Sequence, residues 1–261
     1  MIKNTVIITA EKKDKTIIKT IQSCLNQTNK NLEIIVAYSK FKDENKIKKN
    51  INSKKVIFFK IKKKLKNKVR DQLFKIEQSL KISKGRNIFL LDGDDIFNKK
   101  KIEIISKIIN NREIMILDNY FTISNNAKFK NKIMNHKKNY FYKRFINDWP
   151  KNVCTSAISI ERKLLFKFFK EIKISKYKYL AIDILLAIYC NRGGKLLRVN
   201  KFFTNKIELS DSVDKNYVGY DNRLYWHRRL EQHRYNFFIK KKSYFNFDFL
   251  ISYILSFLFR I

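Results

Sequence analysis

Proline occurs once in this chain of 261 residues and glycine five times. A Pro-rich linker is therefore excluded, and no glycine-rich triphosphate loop follows the first apolar segment. Three cysteines, Cys24, Cys154 and Cys190, stand far apart in or beside apolar runs, without metal-type spacing. Reduced core residues of a cytoplasmic protein are the expectation. The chain opens on a strand-like segment, Thr5 to Ala10, rather than on a charged region and apolar run of secretory type, which agrees with a cytoplasmic setting. Acids are scarce: 23 Asp and Glu against 58 Lys and Arg give a formal charge of +35. The excess of Lys, Asn and Ile runs through the whole length, so part of this charge is compositional. What it predicts is a basic surface attractive to anionic lipid, phosphorylated substrates or polyanions. No nucleic-acid module is present, so no specific nucleic-acid partner is expected. Nothing in the sequence speaks to oligomeric state.

What the chain does contain is an alternation of short apolar runs and helical patterns. Val6-Ile7-Ile8, Leu32 to Val36, Val56 to Phe59, Ile88 to Leu91 and Ile114 to Leu117 read as strands. Helices are expected at about 16–25, 67–82 and 99–109. Continuous apolar strands joined by helices predict an α/β fold with a mostly parallel central sheet covered on both faces. From Asn119 to Trp149 the pattern weakens into a polar, aromatic stretch that reads as loop. Order returns with a strand-like Val153 to Ile160, a basic amphipathic helix from Lys163 to Ile172, an apolar helix from Tyr179 to Tyr189, and a last strand at Lys195 to Val199.

Against the basic background, Leu90-Leu91-Asp92-Gly93-Asp94-Asp95 sets three carboxylates around one glycine at the end of a strand. Like charges this close repel unless a cation or a raised pKa relieves them. Hard cations such as Mn2+ or Mg2+ take carboxylate oxygens and bridge them to phosphates. The cluster thus reads as a metal–diphosphate site, or else as a polar turn. In parallel sheets ligands bind beyond the carboxyl ends of the strands, where Thr9-Ala10-Glu11 also falls. Asp183 lies within an apolar helix, either as its polar face or as a carboxylate suited to general-base work.

These segments together resemble the family 2 glycosyltransferases of the GT-A fold. Val6 to Thr9 looks like the family's opening strand. Ser23 to Thr28, followed by Glu33 to Val36, is similar to its S-x-x-x-Q helix end and second strand. Phe89 to Asp95 looks like its strand and DxD-type motif, Thr155 to Arg162 like the segment flanking the acceptor site, and Asp183 falls at its catalytic Asp. The resemblance implies inverting transfer from a nucleotide-diphosphate sugar, with Asp183 as base and a divalent metal, Mn2+ or Mg2+, held among Asp92, Asp94 and Asp95. It also implies that Thr9, Ala10, Glu11, Tyr38, Arg70 and Gly93 line the donor site, and Trp149, Thr155 and Ser156 the acceptor site. Two positions depart from the family pattern. Acids usual after the second strand are replaced at Tyr38-Ser39, where Tyr38 could stack on a base, and the usual acid before the catalytic Asp is Ile182.

Residues 1–205 are expected to form the catalytic domain and 206–261 a helical extension. Within the extension, Arg228 and Arg229 offer either a site for a phosphorylated acceptor or a solvated basic face. Lys240-Lys241-Lys242 precede an apolar segment, 245–260, in which Asp248, Ser252, Ser256 and Arg260 recur every four residues. Its run past Asp248 is about half the ~20 residues a membrane span requires. It reads as an interfacial helix on an anionic membrane surface, the competing arrangement being a helix packed on the domain or on a second copy. The function expected is a sugar transfer to a glycan or lipid-linked acceptor in cell-surface polysaccharide or lipopolysaccharide synthesis, peripheral on the inner face of the cell membrane. The alternatives are a non-catalytic basic binding module on a decayed transferase fold and a nucleotidyltransferase.

Overall fold

The computed structural model describes residues 3–11, 14–124, 127–132, 150–208, 217, 219–240 and 246–258. The strands are β1 (Asn4–Ala10), β2 (Leu32–Tyr38), β3 (Val56–Lys60), β4 (Asn87–Asp92), β5 (Ile96–Phe97), β6 (Met115–Ser124), β7 (Ala127–Asn131), β8 (Ile158–Glu161) and β9 (Leu196–Ile207). The helices are α1 (Asp14–Leu25), α2 (Glu44–Asn50), α3 (Lys68–Ile82), α4 (Lys101–Ile109), α5 (Arg162–Glu171), α6 (Ile182–Arg192), α7 (Arg223–Lys240) and α8 (Phe247–Leu258).

All strands join one nine-stranded sheet in the order β3-β2-β1-β4-β8-β6-β9-β5, with β7 on β6. β3, β2, β1 and β4 are mutually parallel, as are β6 and β9. β8 enters antiparallel between β4 and β6, so the sheet is mixed. The apolar strands are continuous because both faces are covered. Ile7, Ile88 and Leu90 point into a core with α3, α5 and α6, while Val6, Ile8, Phe89 and Leu91 point into another with α1 and α4. Successive strand residues face opposite sides, so a doubly covered strand loses its polar alternation.

Local chemistry sets several boundaries. Asn67 caps α3 by accepting from the Arg70 N–H, and Glu161 caps α5 by accepting from Leu164. Gln27 is buried and clips the end of α1 to the start of α4. Its amide donates to the Asn98 carbonyl at 2.9 Å and its carbonyl accepts from Ile102 N at 3.0 Å.

Gly85 is required for another reason. A Cβ there would stand 2.5 Å from the Asn4 carbonyl carbon and Thr5 nitrogen, both backbone atoms of the central strand β1. Gly85→Ala should therefore destabilise the protein by about 1–3 kcal/mol through overpacking. A denaturant midpoint equal to wild type would contradict this.

Four expectations change. β6 does not end near Leu117 but continues to Ser124 and pairs antiparallel with β7, so 119–124 and 127–131 are strand rather than loop, while 133–149 lie outside the described residues. β9 runs on to Ile207, beside the second half of β6, with a register shift at Asp118–Asn119 and Asn119–Tyr120. Bulged, half-exposed strands of this kind carry polar residues that disguise the period. Val153 to Ala157 is not strand: a 3-10 turn at Thr155–Ala157 precedes β8. Finally, α6 begins at Ile182, so Asp183 lies in its first turn rather than in mid-helix.

Candidate functional site

The parallel strands end on one edge of the sheet, where Thr9 on β1 is in register with Asp92 on β4. Thr9 Oγ1 donates to Asp92 Oδ1 at 3.1 Å, and Gln72 of α3 donates to the same oxygen at 2.7 Å. Gly93 keeps the acid turn against β1: its N–H donates to Thr9 O at 2.9 Å, and a Cβ would meet Thr9 O at 3.1 Å and Ala10 Cβ at 3.2 Å. Burial and the neighbouring Asp94 charge push the Asp92 carboxyl up to about 7, partly offset by Gln72, Thr9 and Lys206.

Asp95 turns inward. Ser156 Oγ donates to its Oδ2 at 2.6 Å and Ile207 N to its Oδ1 at 2.8 Å, while burial, Asp92 and Asp94 push its pKa well up. Each carboxylate oxygen thus accepts one hydrogen bond from the protein, and Asp95 is buried beneath the turn. Ser156 also accepts from Asp92 N at 3.0 Å, so this residue, expected at the acceptor, braces the acid turn. Thr155 is buried beside it, with Gln72 Nε2 at 3.4 Å from its Oγ1. Among the described residues no group of three or more His, Cys, Asp or Glu stands ready for a metal. Asp92 and Asp94 are the acids of the turn that would hold one, since one or two carboxylates with substrate phosphates are a usual set for Mg2+. Two neighbouring carboxyl groups whose charges repel each other are of the oxygen-donor type that a hard cation takes, so these residues fit one.

The other donor-side residues divide. Ala10 O accepts from the buried Lys75 at 3.1 Å, and Lys75 pairs with Asp71 at 2.7 Å. Glu11 lies near Lys64 and Lys75, at 3.8 and 3.9 Å. Tyr38 is fully buried. Its ring stacks on Phe41 at 4.3 Å and its hydroxyl donates to Glu44 at 2.6 Å, so the face offered to a base is already covered. Arg70 is also placed differently from expectation. Its guanidinium donates to the carbonyls of Ser175 and Tyr177, on the segment that leads to α6. Trp149 lies outside the described residues.

That segment is held from the other side by Glu231 of α7, which sequence reasoning missed. Its carboxylate accepts from the N–H groups of Lys178, Tyr179 and Leu180 at 2.6, 2.6 and 2.9 Å. Arg70 and Glu231 therefore clasp the approach to Asp183. Asp183 Oδ1 accepts from Ile184 N at 2.7 Å, at the helix end that favours negative charge. Ile182 beside it is fully buried core. Buried Cys154, its thiol pushed well up by burial, feels the charges of Asp95, Asp118, Asp183 and Lys206 together. Asp95 of the acid turn and Asp183 thus both lie within electrostatic reach of Cys154.

Beneath it lies a buried pair that the sequence did not announce. Lys101 Nζ meets Asp118 Oδ1 at 2.7 Å and donates to Ser156 O at 2.7 Å, while Thr204 donates to Asp118 Oδ2 at 2.9 Å. Lys206, adjoining the Asp95–Ile207 bond, supplies positive charge near Asp92. No sequence signal marks it among 58 basic residues. Cys24 and Cys190 are buried free thiols raised to about 12 by burial, as core residues should be.

In the C-terminal helices, Arg229 is not available to a phosphorylated acceptor. It forms a two-pronged bond to Asp248 at 2.9 and 2.7 Å. His227 stacks on Tyr179.

The sequence model described as Glycosyl transferase family 2 matches residues 5–169. No curated protein matches the chain. Crystal structures of S. aureus TarS are similar in fold. One TarS structure gives TM-score 0.60 at 12% identity, covering 88% of this chain and 39% of that one. TarS 1–349 in complex with UDP gives 0.64 at 11%, covering 97% and 69%. Its complex with UDP-GlcNAc gives 0.65 at 11%, covering 97% and 70%. The present chain therefore spans well under half the length of the first of these TarS chains.

Proposed function

This chain belongs to glycosyl transferase family 2, and from that premise we propose an inverting transfer of sugar from a nucleotide-diphosphate donor to a hydroxyl of a glycan or lipid-linked acceptor. The setting proposed is assembly of cell-surface polysaccharide or lipopolysaccharide at the inner face of the membrane. The observation that carries the reading is the acid turn at the carboxyl edge of the parallel strands, where Asp92 is in register with Thr9 and held by Thr9 and Gln72. UDP and UDP-GlcNAc in the TarS complexes favour a uridine nucleotide as the first donor to try.

In the proposed reaction the Asp183 carboxylate takes the proton of the acceptor hydroxyl. The freed oxygen attacks the anomeric carbon from the face opposite the diphosphate. The anomeric carbon–oxygen bond breaks, and the nucleoside diphosphate leaves with the electron pair. Asp92 and Asp94 would hold Mn2+ or Mg2+, whose charge would offset that building on the diphosphate. Lys206 adds positive charge from the protein itself. Ser156, Thr9 and Gln72 keep the acid turn in place, and Arg70 and Glu231 orient the segment that carries Asp183.

Calorimetry with UDP and GDP, with and without Mn2+, tests the donor half. The expected result is Mn2+-dependent binding that falls by at least about 100-fold in Asp94→Ala, in keeping with loss of a charged ligand. Binding untouched by both changes would remove the metal–diphosphate site. Release of pyrophosphate from a nucleotide substrate would favour a nucleotidyltransferase, and a folded protein that binds neither nucleotide a non-catalytic module.

A further inference from the structure

The helix α8 is packed with its polar side inward. Asp248, Ser252 and Ser256 are buried, whereas Phe247, Leu250, Tyr253, Ile254, Phe257 and Leu258 are 39–64% exposed. The inward stripe is bonded to α7. Asp248 takes both prongs of Arg229 and lies 3.5 Å from His233, and Ser252 lies 3.4 Å from His233 Nε2. Phe237 and Phe238 of α7 add further exposed rings. An ordinary surface helix buries its apolar stripe and hydrates its polar one. The reverse arrangement leaves a contiguous aromatic and aliphatic surface, of the kind that marks an interaction site.

Charge and length decide between occupants. The segment joining α7 to α8 begins Lys240-Lys241-Lys242, and Asp248, the acid of α8, is turned inward onto Arg229. A second copy would bring another chain of charge +35 against this basic segment. An anionic lipid leaflet instead attracts it, at about 1 kcal/mol per basic residue near the surface. The twelve residues of α8 span about 18 Å, short of a ~30 Å hydrocarbon core. Among the described residues no helix is long and apolar enough to cross a membrane. The helix therefore suits the plane of the interface.

We infer that the outer faces of α7 and α8 dock on an anionic lipid surface and thereby bring Asp183 to an acceptor carried on a lipid. The first half stands on the geometry alone; the second rests on the transferase reading. The two places are joined through one packed element. Tyr235 of α7 donates to Leu185 O at 3.0 Å, and Glu231, one turn earlier, holds the segment ahead of Asp183. Docking α7 on a leaflet therefore holds the segment that carries Asp183 at a fixed place relative to that leaflet.

The test is flotation of the full chain with vesicles of phosphatidylcholine, with and without phosphatidylglycerol, for wild type and for Phe237→Ser/Tyr253→Ser/Phe257→Ser. These side chains are exposed, so the variant should keep its melting temperature and its UDP binding. Wild type is expected to float with the anionic vesicles, and the variant to bind them at least about ten-fold less, having lost its apolar contacts while keeping all its charge. Equal flotation of the two would reduce the interaction to bulk charge and overturn the docking face. So would wild type that ignores vesicles and self-associates instead. Equal binding to phosphatidylcholine alone would overturn the anionic preference. Failed docking with intact UDP binding sinks this inference alone, whereas intact docking without UDP binding sinks the transferase reading alone.

Discussion

Asp183→Asn is expected to lower sugar transfer by about 10²–10⁴-fold, the usual contribution of a positioned general base, while UDP binding stays within a factor of about two. The reason is location. Asp183 sits in the first turn of α6, on a different element from the acid turn that follows β4, and its Oδ1 accepts from Ile184 N of its own helix. The carboxamide keeps the size of the side chain and can still accept from Ile184 N, so the helix start should survive. A kcat that falls while the donor affinity holds would assign Asp183 to the chemical step. Transfer within a few-fold of wild type would remove it from that role and assign the proton to another group.

Asp118→Ala should be the most damaging single change to stability. It leaves Lys101 fully buried without its counter-charge, and breaking a buried pair from one side costs about 3–5 kcal/mol. For a chain of this size that is on the order of 10 °C in melting temperature. The pair Lys101→Met/Asp118→Leu should cost much less, because no charge is then stranded, although Thr204 loses a partner. The loss should also reach the donor site. Lys101 holds the Ser156 carbonyl, and the Ser156 hydroxyl links Asp95 with the Asp92 backbone. Thermal unfolding alongside UDP calorimetry checks both claims. A single variant as stable as wild type would mean that water reaches Lys101.

How far the sequence could be read follows from where each residue finds its partners. β1 and β4 are legible because both their faces are buried, which leaves uninterrupted apolar runs. The Asp92–Asp95 turn is legible because its acids are contiguous. Gln27 belonged to a recognisable helix end before its role as a clip between α1 and α4 was visible. Lys101–Asp118, Glu231 and Lys206 were not legible. Each is an unremarkable charge in a charged chain until a distant segment closes on it, as α7 closes on Lys178–Leu180. Arg70 and Tyr38 show the same limit from the other side. Their positions suited a donor site, but the fold commits Arg70 to carbonyls ahead of α6 and Tyr38 to Phe41.

The amino-acid sequence by itself determined the doubly covered α/β sheet, the acid turn on its edge and an apolar C-terminal helix with a four-residue polar stripe. These are periodicities and local chemistries, set by residues near one another in the chain. Only the tertiary structure decided which donors meet the acid turn, which groups hold the segment ahead of Asp183, and that the polar stripe of α8 faces inward. Each of these depends on which partner arrives from elsewhere: Ser156 and Ile207 for Asp95, Arg229 for Asp248. A buried charge or polar group is stable only beside its partner, and for these residues the partner is supplied by the packing of separate elements.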